Sequence, residues 1–195
     1  MGTRDDILAA AARIMRTEGY ARATTKAIAA AAGYSEAALY KHFRDKTEIF
    51  LAVLDEQLPR LSPLLRELED RAGERTVRAN LEELAATALA FYRESFPISM
   101  SLFSARSLLA AHRDRLHELG AAGPRAPVDA VARYLDAERR LGRLDTGADP
   151  AAMASLLLGA CFQQAFLATF AGETPSAAVR GELAARLVAA LLEGE

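Results

Sequence analysis

Several absences narrow this chain before any motif does. A single cysteine, Cys161, rules out an intrachain disulfide and fits a reducing compartment. No apolar stretch runs unbroken for the roughly eighteen residues that suggest a membrane span. The most apolar piece, Met153 to Phe170, is interrupted by Ser155, Gly159 and the Gln163-Gln164 pair, and reads as a buried helix. The first residues carry no charged-then-apolar leader, and Met1-Gly2 fails as a myristoylation signal because Asp6 stands where Ser or Thr is needed. A cytoplasmic protein is expected. β-Branched residues are few and no run alternates in the manner of a strand, so the expected fold class is all-α. There is no internal repeat. Also missing are a nucleophile elbow, a phosphate loop, zinc-ligand spacing, a convincing carboxylate pair and a serine with an evident His partner. His112 and His117 are five apart, which points them to different helix faces. No catalytic residue, cofactor or metal is expected; a small helical enzyme without a recognisable motif is the alternative.

What is present is concentrated between Thr24 and Lys46. Ile28, Ala29 and Ala32 recur at helical spacing, as do Leu39 and Phe43, so two short helices each have one apolar stripe to bury. Gly33 permits the left-handed backbone that ends the first, and Ser35 brings an oxygen to cap the second. Both are too short to stand alone. Support comes from an amphipathic helix over Thr3 to Glu18, with Ile7, Ala11, Ile14 and Met15 inward, and from a helix starting near Lys46 with Ile49, Phe50 and Val53. A small bundle results. If Leu39 and Phe43 face its core, Glu36, Ala37, Tyr40 and Lys41 face out, flanked by His42 and Lys46. Small Ala37 and Ala38 allow close approach to base edges; Tyr40, Lys41, His42 and Lys46 reach phosphates or sugars; Glu36 is placed to accept from a cytosine amino group or to serve as a dipole-favoured first-turn acid. The start of the first helix, at Thr24-Thr25-Lys26, suits a backbone phosphate.

In these residues the chain resembles the tetracycline-repressor (TetR) family of one-component transcriptional regulators. The family pattern of a Thr, an Ile-Ala pair, Ala-Gly-Val-Ser, Leu-Tyr, an aromatic or His before Phe, and a Lys is met by Thr25, Ile28-Ala29, Ala32-Gly33-Tyr34-Ser35, Leu39-Tyr40, His42-Phe43 and Lys46. The match covers roughly Thr3 to Leu54 without gaps. Ala37 stands where the family commonly has Gly, and Ala38 where Thr or Ser is frequent, so no operator sequence carries over. The resemblance implies a helix-turn-helix DNA-binding domain over 1–47 with Thr25, Lys26, Ser35, Glu36, Ala37, Ala38, Tyr40, Lys41, His42 and Lys46 toward DNA. A helical ligand-binding and dimerisation domain over 48–195 is expected to follow.

Charge is distributed to match. The chain is formally −2, yet Met1 to Glu48 holds eight Lys plus Arg against six Asp plus Glu, leaving +2 there and −4 in the remainder. All three lysines, Lys26, Lys41 and Lys46, fall in the short helical segment. A local basic face on an acidic protein suits a defined site with few phosphate contacts, and disfavours a nonspecific architectural role.

Beyond Leu54 the pattern stays helical. Pro59 and Pro63 should bend or stop the helix from Lys46; segments over Leu64–Arg71, Thr76–Ser95, Ser99–Leu119 and Val128–Leu141 follow, with Pro97 ending the second and the loops Gly120–Pro124 and Gly142–Gly147 closing the last two. Asp149-Pro150 opens a helix to about Phe170, and Ser176–Leu192 forms the last, with Val179, Leu183, Leu187 and Leu191 along one stripe. By the resemblance these final two helices pair in a homodimer, and small Gly159 and Ala160 permit close approach. The resemblance further implies an effector chamber between the middle helices. Phe91, Tyr92, Phe96, Met100, Phe103, Arg106, Tyr134, Cys161 and Gln164 are its expected lining, for a mostly hydrophobic or aromatic small molecule. The expected partners are thus double-stranded operator DNA, a small effector and a second copy of the chain, with no membrane.

Overall fold

The computed structural model describes residues 2–57, 61–104, 106–118, 120, 123–145, 147 and 149–192. Among these the secondary structure is helical: α1 (Thr3–Glu18), α2 (Thr25–Ala32), α3 (Glu36–Leu39), α4 (Lys46–Glu56), α5 (Leu61–Asp70), α6 (Val77–Phe103), α7 (Arg106–Glu118), α8 (Ala126–Arg140), α9 (Pro150–Ala171) and α10 (Ala177–Leu192). The expected all-α class is the observed one. Residues 58–60, 119, 121–122 and 146 lie outside the described set, and with them Pro59, Leu119 and parts of the two expected loops.

Two compact units divide the chain: Met1–Leu58 with Glu94–Ala121, and Pro59–Arg93 with Ala122–Glu195. A functional division at residue 47 is drawn differently because Ile49, Phe50 and Val53 of α4 are buried in the first unit together with Ile7, Leu8, Met15, Ile28 and Leu39. Local chemistry places the ends of its helices. Thr24 caps α2 by accepting from Ala27 N at 3.1 Å, Ser35 caps α3 by accepting from Ala38 N at 3.1 Å, and Asp45 caps α4 by accepting from Glu48 N at 2.8 Å. Gly33 ends α2 at φ 81°, a conformation that costs a residue with a Cβ but not glycine. From the start of α1, Arg4 reaches a bidentate pair with Glu56 at the end of α4, both contacts 2.6 Å, and lies over the Phe43 ring at 5.4 Å.

Pro97 does not end α6. The helix runs through it to Phe103, and α7 begins only at Arg106. Proline withholds one N–H from the ladder, but Ile98 and Leu102 are buried on the far side of it, and that packing outweighs the lost bond.

The second unit has its own core, built from Leu61, Leu65 and Leu68 of α5, Leu81, Leu84 and Ala88 of α6, Val131 and Leu135 of α8, and Leu157 and Leu158 of α9. Polar groups are sealed within it. Asn80 Nδ2 donates to the Tyr134 hydroxyl at 2.9 Å, and Glu138, with no exposed surface, accepts from Gly73 N at 3.2 Å and pairs with Arg143 at 3.3 Å. Burial pushes the Tyr134 phenol well above its ordinary pKa.

The reading of Met153 to Phe170 as a buried helix needs correction. α9 is long and apolar enough to cross a membrane by length and composition, and only a third of that window is buried. Met153, Ala154, Leu157, Leu158, Cys161 and Ala165 form the buried side, whereas Leu156 is 65% and Phe170 84% exposed, with Phe162, Phe166 and Leu167 also open. A polar break every few residues lowers the mean without telling which face is covered.

Candidate nucleic-acid interface

The recognition segment is built as expected at its base. Leu39 is fully buried and Phe43 nearly so, which turns the opposite side outward: Ala37, Tyr40, Lys41 and His42 are exposed, Tyr40 by half its surface. Regular helix stops at Leu39, four residues after Ser35. Phe43 N still donates to Leu39 O at 3.1 Å, so the i, i+4 pair is kept by a turn rather than by a longer helix. At the start of α2, Lys26 is exposed and Thr25 half-buried.

Three of the expected residues are drawn together. Thr25 Oγ1 donates to Glu36 Oε1 at 2.6 Å and lies 3.4 Å from the Tyr40 hydroxyl. Lys46 stands apart from them. Its ammonium sits 3.8 Å from the centre of the Tyr20 ring and donates to Ala21 O at 3.3 Å, and the partial burial lowers its pKa from the ordinary lysine value. Tyr20 and Ala21 escaped the sequence reading; nothing in the spacing singles out the short 3₁₀ turn, Tyr20–Arg22, that carries them. A second contact was also missed. The Tyr34 hydroxyl donates to Asp6 Oδ2 at 3.0 Å, tying the turn between α2 and α3 to the first turn of α1. Its signal was Tyr34 itself, standing where the family pattern has Val.

The residues expected to hold an effector fall in both units. In the second, Tyr134 and Cys161 are fully buried, while Phe91, Tyr92 and Gln164 are half-buried. Tyr92 meets the rings of Phe91 and Phe162 edge to face, each at 5.5 Å, and burial raises its phenol to about 12. The Cys161 thiol is likewise pushed up to about 12 by burial, which leaves it un-ionised and unreactive at neutral pH. In the first unit, Phe96 is half-buried, and Met100, Phe103 and Arg106 are exposed.

Residues 7–53 match the family model for bacterial regulatory proteins of the tetR family. Over 165 residues the chain is 31% identical to the HTH-type transcriptional repressor Rv1474c of Mycobacterium tuberculosis, covering 79% of this chain and 88% of that protein. It belongs to the TetR family. The nucleoid occlusion factor SlmA of Marinobacter nauticus is 34% identical over 92 residues, and the chain spans only 44% of that relative's length. Among solved structures, SmeT in complex with triclosan superposes with a TM-score of 0.70 at 26% identity, over 97% of this chain and 91% of SmeT. SmeT is described as the repressor of the Stenotrophomonas maltophilia multidrug efflux pump SmeDEF. The TetR segment from residue 7 to 53 thus takes in α2, α3 and the turn after α3 that carries the exposed Tyr40 and Lys41.

Proposed function

We propose that this TetR-family protein is a ligand-responsive repressor that binds a pseudo-palindromic operator as a homodimer and leaves it when a small hydrophobic or aromatic effector binds. One observation carries the DNA part: Leu39 and Phe43 are sealed in the first unit, so the side bearing Ala37, Tyr40 and Lys41 is free to meet a groove. Small side chains admit base edges, and the Lys41 ammonium supplies a phosphate contact. A symmetric dimer would set two such segments about 34–36 Å apart, one turn of duplex, which makes the operator palindromic.

The open side of α9 supports the dimer. Leu156, Phe162, Phe166, Leu167 and Phe170 leave apolar surface on one helix, and Gly159 between them has nothing within 4 Å of where a Cβ would stand. A second copy packed there, with α10 beside it, removes that surface from water and lets backbones approach closely. For the effector, the half-buried Phe91, Tyr92 and Gln164 of the second unit pair aromatic surface with one orienting amide. The SmeT–triclosan complex supports an aromatic guest in a protein of similar fold.

Selection of duplexes from a random pool, followed by mobility shifts against excess random DNA, tests the reading. One recurring palindrome, bound as a dimer and released by a member of an aromatic panel that includes triclosan, is the expected result. Binding that random DNA abolishes would refute it.

A further inference from the structure

A threonine hydroxyl has a single hydrogen, and Thr25 places it on Glu36 Oε1 at 2.6 Å. The Tyr40 hydroxyl, 3.4 Å from the same oxygen, is therefore the donor in its contact with Thr25. A relay results, from Tyr40 to Thr25 to Glu36. While it holds, the Thr25 hydroxyl has no hydrogen for a phosphate, and a carboxylate is fixed among the outward groups of α2 and α3. Glu36 Oε2 makes no hydrogen bond among the described residues.

An ionised carboxylate only accepts hydrogen bonds. It is repelled by every phosphate, and in the major groove by the N7 and O6 of guanine and the O4 of thymine. Adenine offers its N6 amino group, but beside the acceptor N7. Cytosine alone presents an amino group, at N4, with no acceptor next to it. We infer that Glu36 selects a cytosine at one position of each half-site, with Thr25 as the positioning residue that orients its carboxylate. The inference rests on the operator-binding reading above and deepens it. Glu36 acts in both directions: it accepts from N4 at the right sequence, and it weakens binding to duplexes that offer only phosphate and acceptor edges. A first-turn acid whose role is only structural would leave the selected base unchanged.

Selection from random duplex DNA with the full-length wild type, Glu36→Gln and Thr25→Val, each checked for native helicity, separates these cases. The glutamine keeps an oxygen that accepts from Thr25 and from adenine N6, and adds an N–H that donates to adenine N7. Wild type is expected to return a palindrome with one invariant cytosine per half-site, Glu36→Gln to move that position to adenine, and Thr25→Val to keep cytosine with about five- to tenfold weaker preference. A probe needing no variant is the wild-type operator with that cytosine replaced by 2-pyrimidinone, which lacks the amino group. It should bind wild type about tenfold more weakly. If the palindrome appears but Glu36→Gln returns the same bases, or if 2-pyrimidinone is tolerated, the role of Glu36 is overturned and the regulator reading stands. If Thr25→Val selects with undiminished preference, the positioning role is overturned. If wild type selects no palindrome, the regulator reading falls and takes this inference with it.

Discussion

Replacing Gly159 by Glu separates the protomer from the assembly. The glycine lies on the exposed side of α9, flanked one turn away by Leu156 and Gln163, and a Cβ built there meets nothing within 4 Å. In the isolated protomer the change therefore removes a flexible residue from a helix interior at no steric cost, a gain of about 0.5–1 kcal/mol. In a two-fold dimer every substitution occurs twice, and each new carboxylate must leave water at a close helix contact, an effective penalty of several kcal/mol per ion. Even about 4 kcal/mol in total, at 1.4 kcal/mol per decade, raises the dimer dissociation constant roughly a thousandfold. Sedimentation equilibrium should show a monomer at micromolar concentration, while thermal melting of that monomer shows no loss of helical stability. A variant still dimeric, with a dissociation constant within about tenfold of wild type, would falsify the placement of the interface on this side of α9.

Other perturbations act inside the units. Leu39→Ala truncates a fully buried side chain beneath the recognition segment and should cost about 2–5 kcal/mol in denaturant unfolding of the first unit, whereas Tyr40→Phe should leave stability within about 0.5 kcal/mol while weakening operator binding; equal stabilities for the two variants would contradict the orientation of α3. Cys161 should resist iodoacetamide at pH 8 in the native protein and react only on unfolding, because burial holds its thiol near 12; rapid native labelling would show the core to be open. Glu56 is held below the usual carboxylate range by the Arg4 guanidinium, so this pair stabilises fully above the unfolded value of about 4.3 and is lost as pH falls through the lower folded one. With side chains 42% and 37% exposed, the pair contributes less than about 1 kcal/mol, and acid titrations of wild type and Arg4→Ala should differ by no more than that.

Helix ends marked by their own chemistry were legible in the sequence. α1 runs over the expected Thr3–Glu18, Asp149-Pro150 opens α9, and Gly33 and Ser35 stand where α2 and α3 are punctuated. Pro97 misled because a local rule was overridden by burial of Ile98 and Leu102, which only the folded chain reveals. The same limit applies at the interface. Spacing correctly turned Leu39 inward and Tyr40 outward, yet Lys46 against Tyr20, Tyr34 on Asp6 and the hydroxyl chain through Thr25 join residues whose meeting depends on how three short helices pack. Burial of α9 was misjudged for a related reason: composition states how apolar a helix is, and not how much of it a single protomer covers.

The amide of Asn80 on the phenol of Tyr134 constrains how this sequence can drift. Lose the tyrosine oxygen, and a sealed amide on α6 is stranded; lose the asparagine, and the phenol on α8 forfeits its donor. Either step alone is penalised, while exchanging both for hydrocarbon of matching volume leaves neither the amide nor the phenol without its partner. Descendants of this chain are thus expected to inherit the two positions together or to replace them together, a paired history for residues separated by fifty-four places along the polypeptide.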